Sequence, residues 1–132
     1  MFEQDVEELC GVWQVLETGA LTAMPRLPLV LGPRHPKDVD EFLDLHRRLV
    51  SHADNPHLDR ALAETLVDLR SLLAPLFRTS PTLFDSGELV DAVRANEPDR
   101  CRAALERKVG ELRIRAVEVL RCRPTVLVGS LA

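Results

Sequence analysis

The sequence lacks the features of several common classes of protein. No apolar run approaches the roughly 20 residues that a membrane helix needs, and the acidic start MFEQDVEEL is the opposite of a signal peptide's basic first region. Glycine-rich phosphate loops, HExxH and GxSxG motifs, and basic stripes studded with aromatic residues are also missing. These absences favour a cytoplasmic protein without a membrane partner, and no familiar catalytic motif identifies an activity.

The chain also lacks an excess of positive charge and a paired cysteine motif. The net charge of −4 gives the surface no attraction for a polyanion, so this chain by itself is not expected to bind nucleic acid. The three cysteines, Cys10, Cys101 and Cys122, are far apart and form no CxxC pair, which suits reduced thiols better than disulfides or a zinc cluster. With 132 residues, 45% of them hydrophobic, the chain has the size of one domain with its own core.

Helical periodicity is the strongest positive signal. Apolar side chains recur at intervals of three and four along four long segments, as expected for helices with one buried face. These segments are residues 3–20, 37–53, 57–77 and 98–120. A shorter helix is predicted to begin at Ser86. The fold class is therefore predicted to be all-α, an antiparallel helical bundle of about five main helices.

Prolines mark the boundaries between these helices. Those at positions 25, 28, 33 and 36 predict an extended connector over residues 19–36 that wraps the outside of the bundle. The pair Asn55-Pro56 ends the second long helix, and Asn96 is predicted to cap the last one, with Pro98 in its first turn. Residues 1–123 are predicted to form the bundle and residues 124–132 a C-terminal tail.

Histidine and lysine on apolar helix faces are the first candidates for chemistry. In EFLDLHRRLVSHADNPHLDRAL, residues 41–62, His46 falls on the apolar stripe of its helix, where a histidine is more often a hydrogen-bonded core residue than a ligand. Lys108 shares the stripe of the last helix, and a lysine there commonly extends its ammonium to solvent. The acidic residues between positions 38 and 44 lie in the first turns of their helix, which favours capping over a carboxylate site.

The segment FLDLHRRLVSHADNPHLDRAL resembles the core signature of the C-terminal ligand-binding domain of FadR-type transcription regulators of the GntR superfamily, the FCD domain. His46, Leu49, Asn55-Pro56 and Leu58 fall in register with that signature. ELVDAVRANEPDRCRAALERKV is similar to the family's last two helices and the turn between them, and VWQVLETGAL is similar to its first domain helix. The resemblance spans most of the chain and implies a helical bundle that forms homodimers and binds a small effector.

The resemblance also implies a site. FCD domains often hold a divalent metal with one aspartate and three histidines, whose positions correspond here to Phe42, His46, the neighbourhood of Ser86, and Lys108. With one imidazole left, no metal or other cofactor is expected, because zinc and nickel sites need three or more protein donors. An arginine of the family's effector site corresponds to Trp13. The implied site is an apolar, metal-free pocket between the first, second and final helices, lined by Trp13, Phe42, His46, Ser86 and Lys108.

Three functions remain open at this point. One is a binding domain for an apolar or amphipathic small molecule, with one anionic group facing Lys108. Another is a small metal-independent enzyme of the cyclase or isomerase type, with His46 as general acid or base and Lys108 as its electrostatic or nucleophilic partner. The third is a purely structural dimerisation module whose pocket has collapsed into core. The family's winged-helix DNA-binding domain has no counterpart in the sequence, which again predicts no DNA binding by this chain.

Overall fold

The computed structural model describes residues 2–122, which form five α-helices and one short 3₁₀ helix and contain no strand. The helices are α1 (Glu3–Ala23), α2 (Val39–Ser51), α3 (Pro56–Thr79), α4 (Gly87–Arg94) and α5 (Pro98–Arg121), and the 3₁₀ helix spans Pro81–Phe84. The predicted all-α bundle of five main helices is confirmed. None of these helices is both long enough and apolar enough to cross a membrane. The predicted tail, residues 124–132, lies outside the described residues.

The first helix occupies the centre of the bundle. It packs against α5, α3 and α2, while α2 also packs on α3 and α4 on α5. Two ion pairs, Glu3 with Arg121 and Glu7 with Arg113, show that α1 and α5 run antiparallel. The hydrogen bond from Arg121 lowers the pKa of the Glu3 carboxyl. Because these ion pairs are exposed, each contributes little to stability. Burial of the apolar face of α1 contributes most of the free energy that holds α1 against its neighbours.

The first helix is longer than predicted, and the connector is correspondingly shorter. The chain stays helical through Gly19 because Ala20 and Leu21 continue the buried row. Pro25 ends the helix, since it forces the preceding Met24 into an extended conformation with φ of −83° and ψ of 131°. The prediction that the connector begins at Gly19 is therefore wrong, and the connector consists of residues 24–38.

The connector is anchored to the bundle by both apolar and backbone contacts. Leu27 and Leu31 are buried in the core. The Ser86 N–H donates to the Arg34 carbonyl oxygen at 2.8 Å, and the Leu27 N–H donates to Oδ1 of Asn96 at 3.3 Å. The connector thus holds the start and the end of α4, the helix that borders the candidate site.

Asn96 does not cap α5 as predicted but terminates α4. Its φ is 56°, in the left-handed region, which asparagine tolerates better than most residues. The Asn96 N–H donates to the Val93 carbonyl and the Glu97 N–H to the Ala92 carbonyl, each at 3.0 Å, which is the Schellman pattern of a helix end. Pro98 is in the first turn of α5, as predicted.

The start of α3 lies one residue before the predicted position 57, and Asn55-Pro56, which was predicted to end the second helix, begins α3. Oδ1 of Asn55 accepts from the N–H groups of His57 and Leu58 at 3.0 and 3.2 Å, and Pro56 occupies the first helical position. Pro75 lies inside the helix, which nevertheless continues to Thr79. A proline removes one helical hydrogen bond, and the buried Leu73 and Leu76 keep these last turns attached to the core.

The cysteines differ in reactivity because they differ in burial. Cys10 and Cys101 are buried, and burial raises the pKa of each thiol to about 11, whereas Cys122 is exposed. Since the thiolate is the reactive form, we expect one thiol to react rapidly with Ellman's reagent in the folded protein and the other two only after unfolding. Cys122→Ser should abolish the rapid phase. A second rapidly reacting thiol would contradict the burial of α1 against α5.

Candidate functional site

The candidate site is centred on a buried pair of polar side chains, Glu17 of α1 and His46 of α2. Their relative exposures are 0% and 1%. Nδ1 of His46 lies 2.7 Å from Oε2 and 3.0 Å from Oε1 of Glu17. The indole Nε1 of Trp13 donates to the same carboxylate at 2.9 Å. The carboxylate is therefore held by one donor from its own helix and one from the neighbouring helix.

These hydrogen bonds determine what the other side of the imidazole can do. A carboxylate offers only acceptors, so the bonded Nδ1 of His46 carries a hydrogen, and in the neutral ring Nε2 then carries the lone pair. Within residues 2–122, Nε2 is enclosed and has no hydrogen-bond partner. Glu17 thus orients the His46 ring as a carboxylate bonded to Nδ1 orients many catalytic and metal-binding histidines.

Aromatic rings fix the imidazole on its remaining sides. The Trp13 ring lies perpendicular to the His46 ring with centroids 5.2 Å apart, and the Phe42 ring is 4.7 Å away. Phe42 also packs edge-on against Phe84 at 5.0 Å. Edge-to-face packing of this kind is favourable and excludes water. These contacts hold the imidazole ring against its two aromatic neighbours.

A small cleft begins beside His46. Its volume is about 110 Å³, and it lies between α2, the segment that starts α4, and α5. Charged and polar groups dominate its wall, with a short apolar stretch from Leu89 and Ala104. The polar lining residues are His46, Asp85, Ser86, Glu88, Arg107, Lys108 and Glu111.

The structure brings three of the five sequence-predicted site residues to this cleft and leaves two behind it. His46, Ser86 and Lys108 line the cleft. Trp13 and Phe42 have no exposed surface and do not line it, because their rings pack against each other and against the imidazole. The cleft consequently differs from the predicted pocket: seven of its nine lining residues are polar or charged, and α4 rather than α1 forms one side of it.

Lys108 has partners of its own. Its Nζ donates to the Leu83 carbonyl oxygen at 2.8 Å and lies 3.3 Å from Oε2 of Glu111, and its side chain is 19% exposed. The alkyl part crosses a half-buried face and the ammonium reaches the rim of the cleft. Lys108 therefore ties α5 to the 3₁₀ helix in addition to lining the cleft.

Serine at position 86 contributes a hydroxyl that is already engaged. Its Oγ donates to the Phe84 carbonyl oxygen at 3.1 Å, and the side chain is buried. The oxygen keeps two lone pairs, so toward a ligand Ser86 can act as an acceptor.

Glu17 is the important residue that the sequence analysis did not identify as part of the site. The signal was present, because Glu17 follows Trp13 by four residues and precedes Ala20 by three, which places it on the buried stripe of α1. A buried glutamate requires a hydrogen-bonded partner, and a histidine on another inward stripe is a suitable one. His46 could have been matched to it on that basis.

Among residues 2–122, no three histidine, cysteine, aspartate or glutamate side chains stand close enough together to hold a metal ion. At the positions implied by the resemblance, Phe42 and Lys108 offer no metal donor comparable to aspartate or histidine. The expectation that His46 binds no metal stays a prediction.

Comparisons with known proteins add no assignment. No protein-family model, no curated protein and no solved structure matches the chain. The fold and the site by themselves define the class: an all-α bundle that carries a buried carboxylate–imidazole pair beside a small polar cleft. The resemblance to the FCD domain stays a prediction.

Proposed function

We propose that this chain is a small-molecule-binding domain of the FCD type, in which the ligand enters the cleft between α2, α4 and α5 and contacts Nε2 of His46 without a metal. One observation carries the proposal: Nε2 is buried, has no partner within the described residues, and belongs to a residue that lines the cleft. An unsatisfied buried polar atom costs about 1–3 kcal/mol. A ligand that supplies the missing hydrogen bond recovers that cost, which favours binding at this position.

Trp13 is a natural reporter of such binding. It is the only tryptophan in the sequence, and its ring lies against the His46 ring that the ligand would contact. We expect small polar molecules that enter the cleft to change Trp13 fluorescence, raise the melting temperature, and shift the NMR signal of the His46 ring nitrogen. The histidine signals of His52 and His57, which are exposed, should not change.

His46→Asn separates binding from folding. The asparagine side-chain N–H can replace Nδ1 as donor to Glu17, while nothing replaces Nε2. We expect the variant to keep its helical circular dichroism and to bind a cleft ligand about twofold to tenfold more weakly, since each hydrogen bond contributes about 0.5–1.5 kcal/mol. His52→Asn, on the exposed C-terminal end of α2, is the matched control and should bind normally. Equal affinity in the two variants would count against the proposal.

A metal-independent enzyme of the cyclase or isomerase type is the second candidate, and the Glu17–His46 pair is the observation that favours it. A carboxylate behind an imidazole positions Nε2 to accept a proton from a bound substrate. Lys108 would act electrostatically, because its ammonium already has two acceptors. Incubating the protein with each ligand and analysing the ligand by NMR distinguishes the candidates, because a binding domain returns the ligand unchanged.

The remaining partner proposals rest on other grounds. The absence of duplex DNA binding by this chain is proposed from its net charge of −4. The homodimer is proposed from the family resemblance alone. If no small molecule perturbs Trp13 or His46, both the binding and the enzymatic candidates fail, and a purely structural module is the remaining function.

A further inference from the structure

We infer that the cleft selects a short protonated amine over a carboxylate or another anion. The inference rests on the proposed function, because it concerns the ligand of the same cleft, and it reverses the expectation that Lys108 faces an anionic group. Three features of the described residues support it: the charges of the wall, the hydrogen-bonding character of Nε2, and the size of the cleft.

The charges of the wall favour a cation. Three carboxylates, Asp85, Glu88 and Glu111, line the cleft with two cations, Arg107 and Lys108. Each cation is paired, Arg107 with Glu88 and Lys108 with Glu111. An incoming anion would therefore have to compete with a carboxylate already in place, whereas an incoming cation meets one carboxylate in excess.

Asp85 is that additional carboxylate. Its ion-pair partner among the described residues is the ring of His35, which is charged only when protonated, and both side chains are solvent-accessible. The Arg34 guanidinium also lies near Gly87, but its own ion pair is with Asp91. Oδ2 of Asp85 also accepts weakly from the Gly87 N–H at 3.4 Å. A ligand ammonium is a stronger hydrogen-bond donor to a carboxylate than a neutral group, so Asp85 is available to it.

The imidazole selects in the same direction. Because Nδ1 of His46 donates to Glu17, Nε2 of the neutral ring presents a lone pair and needs a donor. An ammonium provides three N–H donors, one for Nε2 and others for carboxylate and hydroxyl oxygens of the wall. A carboxylate ligand would bring its own lone pairs against Nε2, with the negative charge of Glu17 directly behind the ring.

The cleft limits the ligand's size. A volume of about 110 Å³ has room for only a few water molecules, at about 30 Å³ each. The apolar stretch formed by Leu89 and Ala104 gives a short carbon chain a surface to contact. A divalent cation is less suitable, because no trio of metal-binding side chains converges in residues 2–122.

The test compares three probes of equal chain length: propylammonium chloride, propanol and sodium propionate, at neutral pH and constant ionic strength. Histidine-selective NMR follows the His46 ring nitrogens in the intact protein. Propylammonium should shift the His46 signal saturably with a dissociation constant on the order of millimolar, as expected for so few heavy atoms. Propanol should bind at least about fivefold more weakly, and propionate should leave the signal unchanged.

Two variants locate the binding. Asp85→Asn keeps the side-chain shape and an acceptor oxygen but removes the charge, and it should weaken propylammonium binding by about fivefold to tenfold. Asp99→Asn, an exposed aspartate in the first turn of α5 that lies outside the cleft, is the matched control and should have no effect. Equal weakening in both variants would mean that propylammonium binding depends only on the overall negative charge of the protein and not on Asp85. That result would overturn the inference.

The other outcomes separate this inference from the proposed function. If propionate or propanol shifts the His46 signal more strongly than propylammonium, the amine preference is wrong and the binding function stands. If none of the three probes, nor any member of a wider set of small polar molecules, shifts the His46 signal, the proposed function fails and the amine inference fails with it.

Discussion

Replacing Glu17 with alanine is expected to lower the free energy of unfolding by about 3–5 kcal/mol, the usual effect of removing one partner from a buried, hydrogen-bonded polar pair. The substitution leaves Nδ1 of His46 and Nε1 of Trp13 without an acceptor in the core, and it also opens a cavity. Urea unfolding followed by circular dichroism measures the change. Glu8→Ala, an exposed position on the same helix, is the control and should change stability by no more than about 0.5 kcal/mol.

A double substitution separates the two causes of that loss, namely the polar groups left without a partner and the lost side-chain volume. When both partners of a buried polar pair are replaced by apolar side chains of similar size, stability is often retained. The double variant Glu17→Leu with His46→Leu should therefore be more stable than the sum of the two single substitutions predicts, with a coupling energy of about 1–3 kcal/mol. Strictly additive effects would show that the two side chains do not interact as the structure places them.

Phe42→Ala is expected to destabilise the protein by about 3–5 kcal/mol, as large aromatic truncations in cores do. Phe42 is completely buried and contacts the rings of Trp13, His46 and Phe84. Thermal and urea unfolding measure the effect, and Phe2→Ala, at a phenylalanine that is 81% exposed, should change stability by less than about 0.5 kcal/mol.

The same substitution tests the boundary between core and site. If Phe42 lined an open pocket, as the family resemblance implied, its truncation would enlarge that pocket at little cost in stability. A loss of stability below about 1 kcal/mol would therefore support the predicted apolar pocket, in which Phe42 lines an open space. A loss in the expected range, with a weaker His46 response to cleft ligands, would show that Phe42 supports the imidazole from behind.

Particular residues explain why the helices were predictable. Proline before and inside helices, and asparagine at a helix start, act through backbone geometry that depends on few neighbours. Asn55-Pro56 therefore begins α3, one residue before its predicted start, and Pro25 ends α1. Asn96 was misassigned because asparagine suits both an N-cap and a left-handed helix end, and the two sites lie one residue apart in this turn.

The site was predictable only in part. The family resemblance brought His46, Ser86 and Lys108 together, and all three line one cleft. Whether Trp13 and Phe42 line that cleft or fill the space behind it depends on how α1 and α2 approach each other. The packing of the two rings against each other, which exists only in the tertiary structure, places them behind the cleft. Periodicity indicates that a side chain points inward, but it does not indicate which other side chains that side chain contacts.

The sequence by itself determined the fold class and the inward direction of Trp13, Phe42 and His46, because a spacing of three and four residues shows which face of a helix is buried. The tertiary structure decided that His46 bonds to Glu17, 29 residues earlier in the chain, and that His46 borders a polar cleft. A contact between two helices depends on their crossing geometry and side-chain rotamers, which a one-dimensional pattern does not contain.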